Sequence, residues 1–161
     1  AEALERGARH GLVCRHMSSR THPDDAVLDR EITSAFREHG VDLVVLAGYM
    51  KRIGPQLLAA YPDRIINIHP SLLPRHGGQG MYGKHVHEAV IAAGEQETGV
   101  TIHLVNNEYD RGRILAQRRV RVEPGDDAES LARRVLEVEH RFYVEVLDEI
   151  IRQRIVLDDP G

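Results

Sequence analysis

A short isoleucine-rich run, Ile65-Ile66-Asn67-Ile68, leads straight into His69 and Pro70 inside the stretch Arg64–Pro74. A run so short, apolar and β-branched predicts a buried strand. Pro70 ends any regular ladder there, because proline has no N–H to donate and fixes its own φ. An amide and an imidazole at the end of a buried strand are costly unless they are hydrogen-bonded or used. The fold must therefore bury this strand and still give Asn67 and His69 partners.

The flanking chain alternates helix with strand. Glu2–His10 has a helical pattern closed by Gly11, and Leu12–Cys14 reads as a short strand. Thr21-His22-Pro23-Asp24 predicts a helix start, and Gly40 ends the helix carrying Val27, Leu28, Ile32, Ala35 and Phe36. Val41–Leu46 reads as a strand covered on both faces, and Pro55–Tyr61 as a short helix. After the Arg64–Ile68 strand, Pro70–Gly83 is rich in glycine and proline and reads as a loop. His85–Ala93 reads as a helix, Val100–Val105 as a strand with two unlike faces, and Ile114–Val122 as another strand. Asp126 with Glu129 resembles a capping box ahead of a long helix striped by Leu131, Val135, Val138, Phe142, Val146 and Ile150. The expectation is a single α/β domain over residues 1–161 whose sheet is mostly parallel and flanked by helices.

In parallel sheets, sites form at the carboxyl ends of strands. Three such ends carry chemistry: Met50-Lys51-Arg52 after the first, Asn67 to His69 at the second, and Asp110 after the third. An amide donor and a charged imidazole suit an oxyanion formed when a nucleophile adds to a carbonyl. Asp110 would raise the pKa of His69 and, through a water, accept a proton from an attacking amine. Taken singly, Asn67 can equally satisfy a strand edge, and His69 can be an ordinary loop histidine. His85 and His87 sit at i and i+2 of a helix, which do not share a face, so they read as solvated rather than metal-binding. Gly77-Gly78-Gln79-Gly80 reads as a flexible loop rather than a phosphate cradle. Cys14 reads as a packing residue.

The net charge of −4 gives no basic footprint for nucleic acid. No apolar run approaches the roughly 20 residues of a membrane-spanning helix. With one cysteine there is no internal disulfide, and a reducing cytoplasm is the expected setting.

Val44–Met50, Asn67–Pro74, Gly99–His103 and Asp110 together resemble the formyltransferase family that uses 10-formyltetrahydrofolate, most of all its glycinamide ribonucleotide branch. The likeness runs from about Ala3 to about Ile150, and Asn-x-His-Pro-Ser-Leu-Leu-Pro is specific to the superfamily. It implies a Rossmann-like fold and transfer of a formyl group from the folate, as cosubstrate, to the amine of glycinamide ribonucleotide, with no metal. It further implies that Asn67, His69 and Asp110 are catalytic and that Met50, Lys51, Arg52 and Ile53 line the folate pocket together with Asn67. Val105, Asn106 and Asp110 belong, on this likeness, to the loop over the pterin. Glu139, within Leu136–His140, would contact the ribonucleotide, as would Pro70 and Ser71.

Methionyl-tRNA formyltransferase shares the signature but continues into a basic domain, and formyltetrahydrofolate hydrolase carries a second histidine where Pro70 stands. A catalytically silent module that binds folate or a partner is the reading from a different class. The family also begins with a strand, a glycine-rich phosphate loop, a helix and a second strand, all of which would precede Ala1. On that likeness the chain is expected to be a fragment, and its Val41–Leu46 edge to invite a homodimer or a strand from another chain. Asp25, where the family often has a folate-contacting arginine, and Arg113, where it often has proline, depart from the pattern.

Overall fold

A computed structural model describes residues 2–108 and 110–158. The chain forms two compact units, one of Ala1–Val41 with Ile53–Ala60, the other of Asp42–Arg52 with Tyr61–Gly161.

The smaller unit is helical, with α1 (Glu2–Arg9), α2 (Asp25–Glu38) and α3 (Pro55–Ala60). Asp24 caps α2 by accepting from the backbone N–H of Ala26 and Val27, which leaves Pro23 outside the first turn. The buried Asp29 of α2 accepts from Gln56 N–H at 2.8 Å and Leu57 N–H at 3.1 Å, tying α2 to the start of α3. Gly54 permits this approach, since a Cβ there would lie 2.2 Å from the Asp29 carboxyl carbon. Leu12–Cys14 is not a strand: Leu12 and Val13 are exposed, and the segment pairs with no strand among the described residues. Cys14 is likewise exposed and not a core residue.

The larger unit holds a four-stranded sheet in the order β1 (Val44–Leu46), β2 (Ile65–His69), β3 (Glu97–Leu104), β4 (Ile114–Arg121). Its α/β class agrees with the sequence, but the sheet is mixed rather than mostly parallel. β1 and β2 run parallel, whereas β2–β3 and β3–β4 are antiparallel. Helix α4 (Lys84–Ala92) connects β2 to β3 and α5 (Ala128–Ile151) follows β4. β3 is buried on both faces from Thr98 onward, so its alternation does not mark one wet face. The core joins Ile66, Val100 and Ile102 of the sheet to Val90 of α4 and to Leu131, Val135, Phe142 and Val146 of α5. Tyr143 adds a polar tie, its hydroxyl lying 2.8 Å from Leu46 O and 3.2 Å from Ile66 O. The capping box at α5 is one residue later than the pattern suggested, formed by Asp127 and Ser130. Asp126 instead takes two hydrogen bonds from Arg134 at 2.7 and 2.8 Å.

Candidate active site

Asn67 and His69 lie two residues apart on β2, and the register sets Asn67 opposite His103 and His69 opposite Thr101 of β3. His69 is buried. Its Nε2–H donates to the His76 carbonyl at 2.8 Å, since a carbonyl can only accept. That bond fixes the ring, and Nδ1 then faces Asp110 Oδ2 at 3.6 Å.

Asp110 reaches this position by a route that strand topology does not predict. β3 is antiparallel to β2, so its carboxyl end lies beside Ile66, away from His69. The segment after β3 folds back, and Asp110, in the left-handed region at φ 53°, delivers its carboxylate to the site. Oδ2 accepts from Gly78 N–H at 3.0 Å, and Oδ1 lies 3.5 Å from His103 Nε2. Gly112 makes the fold-back tight, because a Cβ there would sit 1.6 Å from Leu104 O.

His103 was not singled out by the sequence, yet it joins the other three residues. Its Nδ1–H donates to Leu104 O at 2.9 Å. Its Nε2 lies 3.5 Å from both Asn67 Nδ2 and Asp110 Oδ1. An unprotonated Nε2 can accept from Asn67, whereas only a protonated one can pair with the carboxylate. The proton on His103 therefore decides whether the Asn67 amide is engaged or free to donate elsewhere. A buried histidine directly across the ladder from Asn67 was the available signal.

The charges are set by burial and by these neighbours. Burial pushes the His69 pKa down, and its net shift is downward although Asp110 and the His76 carbonyl act to raise it. Burial works to raise the Asp110 pKa, but the His103 hydrogen bond, the charge of His69 and the Gly78 N–H together hold it below the usual carboxylate value. The site thus holds an ionised carboxylate against an imidazole, His69, whose charge is costly.

The loop after Pro70 is pinned rather than loose. Ser71 is fully buried, its hydroxyl donates to Arg75 O at 2.6 Å, and its carbonyl accepts from Thr101 at 2.7 Å. Gln117 of β4 donates to Leu73 O and to Thr101 Oγ1, each at 2.9 Å. Leu73-Pro74 is a cis peptide. Gly77 serves close approach to the site, since a Cβ there would meet Leu73 at 2.4 Å and Asp110 at 3.4 Å, whereas Gly78 has open space around its missing Cβ and takes φ 94°. Pro70 is half-buried.

The remaining expected residues are less concentrated. Met50, Lys51 and Arg52 are exposed, and Arg52 donates to Asn107 O at 2.7 Å, linking the turn after β1 to the segment after β3. Val105 is half-buried and Asn106 exposed, its side chain accepting from Glu108 N–H at 2.8 Å; Tyr109 lies outside the described residues. Ile53 is buried in the smaller unit. Glu139 is half-buried on α5, where burial raises its carboxyl pKa to about 7. Of the histidine pair on α4, His85 is exposed as expected, but His87 is buried rather than solvated, because residues two apart on a helix point to different faces and one of these faces is turned inward.

Comparison with known proteins follows this geometry. Residues 1–147 match the formyl transferase family model. The chain is 50% identical over 143 residues to the chloroplastic phosphoribosylglycinamide formyltransferase of Arabidopsis thaliana, covering 89% of this chain and 49% of that protein. It is 33% identical over 151 residues to phosphoribosylglycinamide formyltransferase of Bacillus subtilis, covering 94% and 75%. The crystal structure of glycinamide ribonucleotide transformylase 1 from Symbiobacterium toebii superposes with a TM-score of 0.88 at 37% identity, over 98% of this chain and 72% of that one. The chain spans about half the length of the plant relatives it matches. With a family match over most of its length and a fold in common with these enzymes, the chain belongs to the formyl transferase family.

Proposed function

We propose that residues 1–161 act as a single formyltransferase domain that moves the formyl group of 10-formyltetrahydrofolate onto the amine of glycinamide ribonucleotide. The observation that carries this reading is the buried cluster in which one carboxylate, Asp110, faces His69 at 3.6 Å and His103 at 3.5 Å beside the Asn67 amide. The relatives at 33% to 50% identity named for this reaction support the choice of substrates.

In the reaction the amine lone pair adds to the formyl carbon, and negative charge grows on the carbonyl oxygen. Asn67 Nδ2–H donates to that oxygen, and a protonated His69 stabilises it by its charge. Asp110, through a water, receives the proton that the amine sheds, and a proton goes to the folate nitrogen as its bond to the formyl carbon breaks. Met50, Lys51, Arg52, Val105 and Asn106 are assigned to the folate, and Pro70 and Glu139 to the ribonucleotide. Ser71 is assigned to loop shape, because its hydroxyl is already committed to Arg75 O.

The test is to incubate the purified chain with 10-formyltetrahydrofolate and glycinamide ribonucleotide and follow both products by mass spectrometry. Formylated ribonucleotide appearing together with tetrahydrofolate is the expected result. Folate binding without product would support the silent module, and formate released without the ribonucleotide would support a hydrolase.

A further inference from the structure

We infer that Glu95 is a positioning residue for the site, acting through the side chains of Arg75 and His76 on the backbone that grips His69 and Asp110. Its bearing on turnover rests on the formyl-transfer reading above; its bearing on the His69 ring does not.

Glu95 is placed by the carboxyl end of α4. Helix α4 ends at Ala92, Ala93 is its C-cap, and Gly94 follows at φ 65°. Gly94 N–H donates to Ile91 O at 3.0 Å and Glu95 N–H to Val90 O at 3.3 Å, which is a Schellman motif. Val90 is fully buried, so the end of α4, and Glu95 with it, is anchored in the core. The Glu95 carboxylate then faces the loop after β2. One oxygen lies 3.3 Å from His76 Nε2 and the other 3.6 Å from an Arg75 guanidinium nitrogen. His76 is held in the left-handed region at φ 52°, which an L residue adopts only when its surroundings enforce it.

That conformation matters because of what the adjacent backbone does. The His76 carbonyl accepts the His69 Nε2–H at 2.8 Å, and two residues on, Gly78 N–H donates to Asp110 at 3.0 Å. Three consecutive residues, His76-Gly77-Gly78, therefore set both members of the pair. The two glycines give this stretch no stiffness of its own, so it depends on what holds its amino side. There the Ser71 hydroxyl holds the Arg75 carbonyl at 2.6 Å, and the Glu95 clasp holds the side chains of Arg75 and His76. Ring orientation and tautomer of a histidine follow from the bond its other nitrogen makes, so moving the His76 carbonyl releases Nδ1 from Asp110.

The test uses the whole chain labelled with 15N-histidine, with His69 assigned by comparison with His69→Gln. Long-range 1H–15N spectra at neutral pH are expected to show His69 with its proton on Nε2. In Glu95→Ala, the two His69 nitrogen shifts should move toward each other as the tautomers mix. Glu95→Gln, which keeps an acceptor for His76, should retain most of the wild-type pattern. In formyl-transfer assays Glu95→Ala should lose about ten- to a hundredfold in kcat with little change in KM, as small misplacements of reacting groups do. His69 shifts and titration unchanged in a folded Glu95→Ala would overturn the inference. If Glu95→Ala fails to fold, the Arg75→Ala, His76→Ala double variant removes the same clasp from the loop side and is read identically. An inactive wild type would count against the proposed function alone, because the spectra report on His69 without turnover.

Discussion

His69 Nδ1 and Asp110 Oδ2 stand 3.6 Å apart, with the opposite ring nitrogen already donating to the His76 carbonyl. Both nitrogens are thus turned to acceptors, an arrangement built for the charged ring, while burial opposes that charge. Asp110 is the main opponent of burial, so Asp110→Asn lowers the His69 pKa further. If the charged ring assists transfer, the alkaline limb of kcat moves to lower pH and the rate at pH 7 falls by about 10²-fold or more. Rates measured from pH 5 to 9, with circular dichroism as the check on folding, test this. An alkaline limb that stays in place would remove His69 charge from the mechanism.

His87 bears on stability in acid. Its side chain is 5% exposed, its Nδ1 has no hydrogen-bond partner among the described residues, and burial, then the charge of His69, lowers its pKa. A histidine with a depressed folded pKa contributes fully above its unfolded value, near 6.5, and loses that contribution as pH falls from there toward the folded pKa. His69 follows the same sign. These two histidines therefore cost the folded state stability as pH falls from about 7 toward 5, while Glu139, whose pKa is raised to about 7, acts in the opposite sense over the same range. His87→Leu removes one of the two titrations and an unpaired buried nitrogen, whose cost is about 1–3 kcal/mol. Urea midpoints at pH 7.5 and 5.0 should lie closer together in the variant than in the parent; an equal gap would mean that His87 stays neutral throughout.

Gly112 holds the fold-back that carries Asp110. A Cβ there would meet Leu104 O at 1.6 Å and its carbonyl carbon at 2.6 Å, and backbone atoms cannot swing aside. Leu104 N–H meanwhile donates to Arg113 O at 2.9 Å, so relieving the clash opens the end of the β3–β4 ladder. Gly112→Ala is expected to cost about 3 kcal/mol or more. Gly125→Ala is the comparison, since Gly125 has φ 84° and open space around its missing Cβ. It should cost only the left-handed penalty, about 1–2 kcal/mol. Denaturant unfolding of the two variants separates a steric block from a backbone preference, and equal costs would refute the steric account.

The sequence made some of this legible. The strand through Asn67 and His69 and the stripe of α5 follow from residue type and spacing, which act locally. Asp110 could be marked as chemically apt, but its arrival beside His69 depends on a fold-back after an antiparallel strand, and spacing does not encode strand direction. His103 stayed hidden because a histidine within an apolar strand looks the same whether it packs or bonds; only the register opposite Asn67 distinguishes the two. Glu95 resembled any solvated acid after a helix, and its relation to Arg75 and His76 exists only once β2 and α4 are folded together.

Glu139 shows how a residue can weaken the fold and still be retained. Burial raises its carboxyl pKa to about 7. An acid whose folded pKa is raised favours the native state while protonated. Its contribution is full below the unfolded value, near 4.3, and is lost as pH rises through about 7. Glu139→Gln keeps the shape without the charge, so it should leave stability at pH 4 unchanged and add on the order of 1 kcal/mol at pH 8. If Glu139 contacts the ribonucleotide, the same variant should raise the KM for glycinamide ribonucleotide and leave the KM for the folate alone. Stability gained at pH 8 together with substrate affinity lost would identify Glu139 as a charge kept for binding. A variant that is more stable and binds both substrates as before would leave Glu139 outside the substrate site.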